Sequence, residues 1–308
     1  MNGPSPQRIL VIKLSSLGDI ILALGAFRAI RDHHRGDHVT LLTTRPYRRL
    51  AEESGLFEEV WVDERPRPWQ VPAWLALARR LRAAGFARVY DLQRSQRSAW
   101  YFRLAGRPEW VGTVAGCSHR YVMPRGSDLP IGEREAAQLA LAGIARVPPP
   151  DVSFLRADVD RYGIAGAYAL LAPGSSASRP GKRWPAARYA ELAVRLAEQG
   201  MAPVLICGPD EREEARAIAE ACPQAYDIES NINDIAALAR GARVAVGNDT
   251  GPIHVIAASG CPTVVLFSAE SHPVKSKPQG PSVEVLHRPV LAHLTVAEVM
   301  NAVKGLAR

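Results

Sequence analysis

Short apolar runs of three to five residues alternate with stretches whose apolar positions recur every three or four residues, and this alternation continues along most of the chain. Runs of that length suit strands covered on both faces, and the amphipathic stretches suit helices laid over a sheet. The pattern therefore predicts an α/β fold built on parallel sheets. In the first half, residues 9–12, 39–43, 60–62, 89–92 and 110–114 read as strands. Residues 72–84 read as a helix that presents Trp74, Leu77, Ala78 and Leu81 on one face, as core packing on a sheet requires.

A helix over residues 133–146 is followed by Pro148, Pro149 and Pro150, which donate no backbone hydrogen bonds and fix their own φ. We place a linker at residues 148–150, between a first domain at 1–147 and a second at 151–308. The second half repeats the alternation, with strands near Leu170 and at 204–207, 244–246 and 263–267, and helices at 187–199 and 211–222. A capping box at Thr295 and Glu298 opens a last helix whose Val296, Val299, Val303 and Leu306 form one stripe. That stripe is expected to pack on something, with the first domain as one partner.

The 308 residues, 47% of them hydrophobic, exceed what one core usually reaches and fit two domains. A formal net charge of +7 favours phosphate-rich or acidic partners. The arginines are spread along the chain without a lysine-rich tail, which argues against nucleic acid. Cys117, Cys207, Cys222 and Cys261 form no Cys-x-x-Cys pair and no metal-ligand set, as in a reducing, cytoplasmic compartment. Lys13 and Asp19 interrupt the apolar N-terminal run, so it is not read as a signal peptide, and no apolar stretch is long enough to span a bilayer.

Candidate chemistry sits where strands run into helices, the ends at which ligands of parallel sheets collect. Strand 9–12 leads through Lys13-Leu14-Ser15-Ser16-Leu17-Gly18-Asp19 into a helix over 20–30. A carboxylate at a helix start is favoured as an anion, so Asp19 is an ordinary N-cap, a proton acceptor, or both. Gly174 and Gly181-Lys182 superficially resemble a Walker loop, but six residues separate the glycines and Arg183 stands where a metal-holding hydroxyl would be. Lys182 then reads either as part of a solvated pair or as a charge that neutralises a diphosphate, with Ser175, Ser176 and Ser178 as hydroxyl donors. Asn248-Asp249-Thr250-Gly251-Pro252-Ile253-His254 opens another helix, whose amides at Gly251 are free for a phosphate, with Thr250 adding a hydroxyl. Asp249 is assigned to capping that helix or to sugar hydroxyls, and His254 is as fit for structure as for function. In Pro209-Asp210-Glu211 one carboxylate can accept from ribose hydroxyls or simply start a helix. Two such domains would face each other across a cleft suited to two substrates.

Ser-Ser-Leu-Gly-Asp at 15–19, Lys-Arg-Trp-Pro at 182–185 and Asn-Asp-Thr-Gly-Pro-Ile-His at 248–254 occur together and in order. In this the chain resembles the ADP-heptose:lipopolysaccharide heptosyltransferases of glycosyltransferase family nine. The resemblance implies a GT-B fold of two Rossmann-like domains, with a terminal helix crossing back. It also implies inverting, metal-independent transfer of a heptose or related sugar from an ADP-sugar donor, with no other cofactor. By the same resemblance the second domain holds the donor through Ser178, Lys182, Glu211, Asp249, Thr250, Gly251 and His254. Asp19 is then the catalytic base, and Ser15, Ser16, Arg45, Arg65 and Arg67 are acceptor contacts.

The implied acceptor is an acidic glycolipid, the lipopolysaccharide core or a similar glycan. Arg45, Arg48, Arg49, Arg65 and Arg67 are also candidates for peripheral contact with the inner face of the cytoplasmic membrane. Gly25 and Ser268-Ala269 depart from the family pattern, where proline and Gly-Pro are usual. The alternatives are a nucleotide-sugar-binding protein without catalysis, a GT-B nucleotide-sugar epimerase and a nicotinamide-dependent dehydrogenase. The last is disfavoured because the first strand-to-helix turn lacks Gly-x-Gly-x-x-Gly.

Overall fold

In a computed structural model, which describes residues 5–176, 178–208 and 211–306, the chain divides into two compact units, Met1–Pro150 and Asp151–Arg308. In the first unit β1 (Arg8–Ile12), β2 (His38–Thr43), β3 (Glu59–Val62), β4 (Arg88–Asp91), β5 (Glu109–Gly112) and β6 (His119–Arg120) form one sheet in the order β3-β2-β1-β4-β5-β6. The helices are α1 (Leu17–His33), α2 (Arg48–Glu53), α3 (Val71–Ala83), α4 (Gln96–Leu104) and α5 (Ile131–Ala140). Every strand pair is parallel. Each parallel pair needs a crossover connection, and helices α1 to α4 supply those from β1 to β5, while residues 113–118 join β5 to β6 without a helix.

The second unit repeats the plan. Strands β7 (Tyr168–Ala172), β8 (Ala202–Ile206), β9 (Tyr226–Ile228), β10 (Val244–Asn248), β11 (Thr263–Phe267) and β12 (Val283–His287) run in the order β12-β11-β10-β7-β8-β9. All pairs are again parallel. Its helices are α6 (Ala186–Glu198), α7 (Arg212–Ala221), α8 (Ile232–Gly241), α9 (Gly251–Ala258) and α10 (Val296–Leu306). Counting from the first strand of each unit, both sheets have the Rossmann order 3-2-1-4-5-6, with the switch point between the first and fourth strands.

The central strands β1, β7, β10 and β11 are apolar and almost wholly buried, as strands covered on both faces must be. In the first unit Leu10, Ile12, Tyr101, Phe102 and Trp110 belong to one core cluster, against which Trp74 and Leu77 pack. In the second, α6 contributes Tyr189, Leu192 and Leu196, and α10 contributes Val296, Val299 and Val303. The stripe of the last helix packs within its own unit, on α6, β10, β11 and β12. Among the described residues no helix is long and apolar enough to cross a membrane.

Strands β6, β9 and β12 and helices α4 and α8 are additional to the elements read from the sequence; β6 and β9 have only two and three residues. Conversely, the helix expected to reach residue 146 ends at Ala140, and Gly143 then turns the chain with φ +85°.

The three prolines lie back along α1. A Cβ added at Gly25 would stand 2.0 Å from the carbonyl oxygen of Pro148, so the departure from proline at this position follows from the path of the chain. Gly25→Ala should lower the unfolding free energy by roughly 1–3 kcal/mol, since a backbone atom has to give way. Urea denaturation of the full chain measures it.

Candidate functional site

The two candidate centres occupy equivalent places, at the carboxyl ends of the first and fourth strands of each sheet. In the first unit β1 delivers Lys13 and Leu14 to the turn before α1. Lys13 is buried, and its Nζ meets Glu135 Oε1 of α5 at 2.8 Å. A buried charge without such a partner would cost several kcal/mol, so the pair fixes α5 beneath the turn. Leu14 is held from both sides: its amide donates to Gln93 (2.7 Å), and its carbonyl accepts from Thr44 (2.8 Å) and from Arg65 (3.3 Å).

Ser16 is the N-cap of α1, and Asp19 Oδ2 accepts from its amide (2.9 Å) and its hydroxyl (3.1 Å). Asp19 therefore closes the capping box, with its side chain half-buried and, among the described residues, no hydrogen bond to its second oxygen. Capping orients the carboxylate through one oxygen and leaves the other open to proton acceptance.

Burial raises the pKa of Tyr47, with Arg65 opposing and Asp19 adding to the rise, so these three groups share one neighbourhood. Burial and the nearby Arg94 both lower the pKa of Arg134, against the pull of Tyr121, Glu135 and Asp19. Arg134 still carries its charge at neutral pH. Among the described residues it makes no ion pair, and its Nε is buried without a hydrogen bond. Of the arginines foreseen as acceptor contacts, Arg65 reaches the turn that carries Asp19. Arg45 pairs with Glu64 at 2.8 Å, and Arg67 lies over the Trp69 ring at 5.4 Å, so both are engaged elsewhere. Sequence reading missed Arg94 and Arg134, which no motif marks.

In the second unit one residue organises the site. Asn248, the last residue of β10, is wholly buried and uses its whole amide: Oδ1 accepts from the Trp184 amide (3.2 Å) and the Tyr189 hydroxyl (3.1 Å). Its Nδ2 donates to the carbonyls of Pro173 (2.6 Å) and Gly174 (3.3 Å). It thereby ties the end of β10 to the loop after β7 and to the start of α6. Trp184 is also buried, bonding through Nε1 to the Leu294 carbonyl at 3.0 Å and meeting Tyr189 edge-on. In Lys-Arg-Trp-Pro the tryptophan is thus an anchor, and Arg183 is a strut to Glu214 and to the Ser175 carbonyl (2.9 Å).

So anchored, Lys182 projects its Nζ to 2.6 Å from Asp249 Oδ2, while His254 Nε2 lies 3.7 Å from Oδ1. Burial pushes the Asp249 pKa up, but His254 and Lys182 together hold it at about 2. Asp249 does not cap α9, as one reading of the sequence had it; it is the counter-ion of Lys182. Thr250 is the N-cap but makes no side-chain cap bond, and no acid lies in the first turn from Gly251, so hydroxyl and helix start are both uncommitted. Ser178 is exposed and shares a 2.9 Å hydrogen bond with Ser176. Gly174, Ile206, Cys207, Gly208, Glu211, Ser230, Ile235, Thr250 and Pro252 line a cavity of about 280 Å³. Glu211 is held there by the Gly208 amide, and a Cβ at Gly174 would come within 2.3 Å of its carboxylate. Asp210, its neighbour in the sequence motif, lies outside the described residues.

Comparison with known proteins agrees with this geometry. The sequence model of glycosyltransferase family 9 (heptosyltransferase) matches residues 139–299, just over half of the chain. The chain belongs to glycosyltransferase family 9. It is accordingly a glycosyltransferase of the heptosyltransferase type. Two curated family relatives are similar to it. Lipopolysaccharide heptosyltransferase 1 of Pseudomonas aeruginosa is 27% identical over 284 residues, covering 85% of this chain and 78% of the relative. Lipopolysaccharide heptosyltransferase 3 of Escherichia coli is 28% identical over 131 residues, 41% of this chain, and the match spans 38% of that relative's length. Among solved structures, E. coli ADP-heptose lps heptosyltransferase II superposes with a TM-score of 0.80 at 22% identity, covering 98% of both chains. The family fold is therefore GT-B, with two Rossmann-like units.

The Asp249 carboxylate supplies a test of the pairing. Because its folded pKa lies below the unfolded value near 3.8, it contributes stability that is complete above that pH and is lost as pH falls towards about 2. In Asp249→Asn, stability measured by urea denaturation should be lower at neutral pH, and the gap from wild type should shrink between pH 4 and 2.

Proposed function

We propose that the chain transfers a heptose from ADP-heptose to an acidic sugar of a lipopolysaccharide core, with inversion at the anomeric carbon and without a metal. The observation that carries this reading is the anchored Lys182–Asp249 pair, beside an uncapped helix start and a nucleoside-sized cavity, in a chain of family 9. The E. coli structure similar to it is of an ADP-heptose enzyme acting on lipopolysaccharide.

Ile206, Ile235 and Pro252 give the cavity apolar walls for a base, and Glu211 can accept from the ribose hydroxyls. The diphosphate then meets Thr250, the amide of Gly251 and the ammonium of Lys182, which keeps two donors beyond the one given to Asp249. Ser178 is available to the same phosphates. His254 and Asp249 hold Lys182 in place, and their polar atoms can also meet sugar hydroxyls.

In the first unit Asp19 is the base. It takes the proton of the attacking acceptor hydroxyl as the new bond forms at the anomeric carbon, and the bond to the diphosphate breaks with its electrons leaving on ADP. Lys182 and the α9 amides stabilise the charge that grows on that leaving group. Arg134 is a cation near Asp19, with Arg94 near Arg134 in turn, and is suited to a carboxylate or phosphate on the acceptor, with Arg65, Ser15 and Ser16 at the turn that carries Asp19.

Release of ADP from ADP-heptose, with a Kdo-lipid A acceptor in EDTA, tests the assignment. Release should depend on acceptor, and the product should have the opposite anomeric configuration to the donor. Asp19→Ala should reduce kcat by about a hundredfold or more, and Lys182→Ala by roughly a hundredfold. Arg134→Gln should raise the acceptor KM and leave the donor KM unchanged. Retained configuration, or epimerised ADP-sugar in place of a glycoside, would overturn the proposal.

A further inference from the structure

The outward face of α3 and α4 is neither core nor catalytic site. Val71 and Leu75, one helical turn apart on α3, stand in solvent with Trp100 of α4 and with Trp69 just before α3, which is 71% exposed. Pro68, Val71, Trp74, Leu75, Trp100 and Leu104 line a groove of about 470 Å³ between the helices, and all six are apolar. A contiguous exposed patch of this kind marks an interaction site.

Its charge says what it meets. Residues 65–107 contain ten arginines and a single acid, Asp91, which is buried. That segment carries a formal +9 in a chain whose total is +7, so the rest of the protein is slightly acidic. Three of the arginines lie over the indoles of the patch: Arg67 over Trp69 at 5.4 Å, Arg97 over Trp74 at 5.5 Å and Arg103 over Trp100 at 5.0 Å. Arg45, Arg48 and Arg49, which the sequence offered for membrane contact, are instead paired with Glu64, Glu52 and Glu53.

We infer that the α3–α4 face docks on an anionic phospholipid bilayer. Val71, Leu75, Trp69 and Trp100 enter the interfacial zone, where indoles are at home, and the arginines extend along them to lipid phosphates. A surface for a soluble polyanion has no use for exposed Val71 and Leu75, which favours lipid over nucleic acid. The inference does not depend on the assignment of donor or acceptor.

Flotation of the full chain with vesicles of phosphatidylcholine, with and without about 30% phosphatidylglycerol, tests it. The chain should float with the anionic vesicles, lose roughly tenfold or more of that binding on pure phosphatidylcholine or at about 0.5 M salt, and show tryptophan quenching by brominated lipid. Leu75→Ser/Trp100→Ser should abolish flotation while its circular dichroism, melting and transfer to a soluble, deacylated acceptor stay unchanged. Equal flotation of this variant and wild type would overturn the inference. So would charge-dependent binding without brominated-lipid quenching, which would make the face a site for a soluble polyanion such as a nucleic acid.

Discussion

The second unit of this enzyme depends on the satisfaction of one buried amide. Asn248 is wholly buried, so its four hydrogen bonds have to be met by protein, and those partners sit on the connection between β7 and α6 and on α6 itself. Meeting that requirement brings the carboxyl ends of β7 and β10 and the start of α6 into one fixed arrangement. Lys182, Asp249 and Thr250 inherit their positions from it. A leucine of similar size would leave two donors and two acceptors stranded, each unsatisfied group costing about 1–3 kcal/mol. The first unit reaches a comparable result by a different device, a buried Lys13–Glu135 ion pair under the turn that carries Asp19.

The division between what was legible in the sequence and what was not has a physical basis. Strands β1, β7, β10 and β11 are continuous apolar runs, because both of their faces are covered, and such runs announce themselves. Asp19, Lys182 and Thr250 were legible because a strand end followed by a helix start is a local event, written in adjacent residues. Asn248 stood in a quoted motif without a role, since its partners Pro173, Gly174, Trp184 and Tyr189 lie 59 to 75 residues away. Asp249 was read as a cap or as a contact for sugar hydroxyls, and neither local reading could foresee Lys182, which only the fold brings to it. Arg94 and Arg134 carry no local signal, and neither does the fit of Glu211 between Gly174 and Gly208.

The repeated strand order gives the two units a shared logic with different chemistry. In each, the first and fourth strands part at the switch point, and the turns that follow them supply the working groups. The first unit places a carboxylate there, with Arg134 nearby, which makes no ion pair among the described residues. The second places a lysine whose charge is already balanced by Asp249, together with a helix start. A half-buried carboxylate and a lysine beside a helix start are thus variations on one backbone scaffold.

An open parallel sheet has two edges, so the described residues form four edge strands, β3, β6, β9 and β12. Each edge is a row of unpaired amides and carbonyls to which a foreign strand could add. The edges are kept short or charged: β6 has two residues and β9 three, β3 begins at Glu59, and β12 carries Glu284 and ends at His287. Resistance to edge-to-edge aggregation is therefore written into the weakest strands of the fold, the ones with least to contribute to its core.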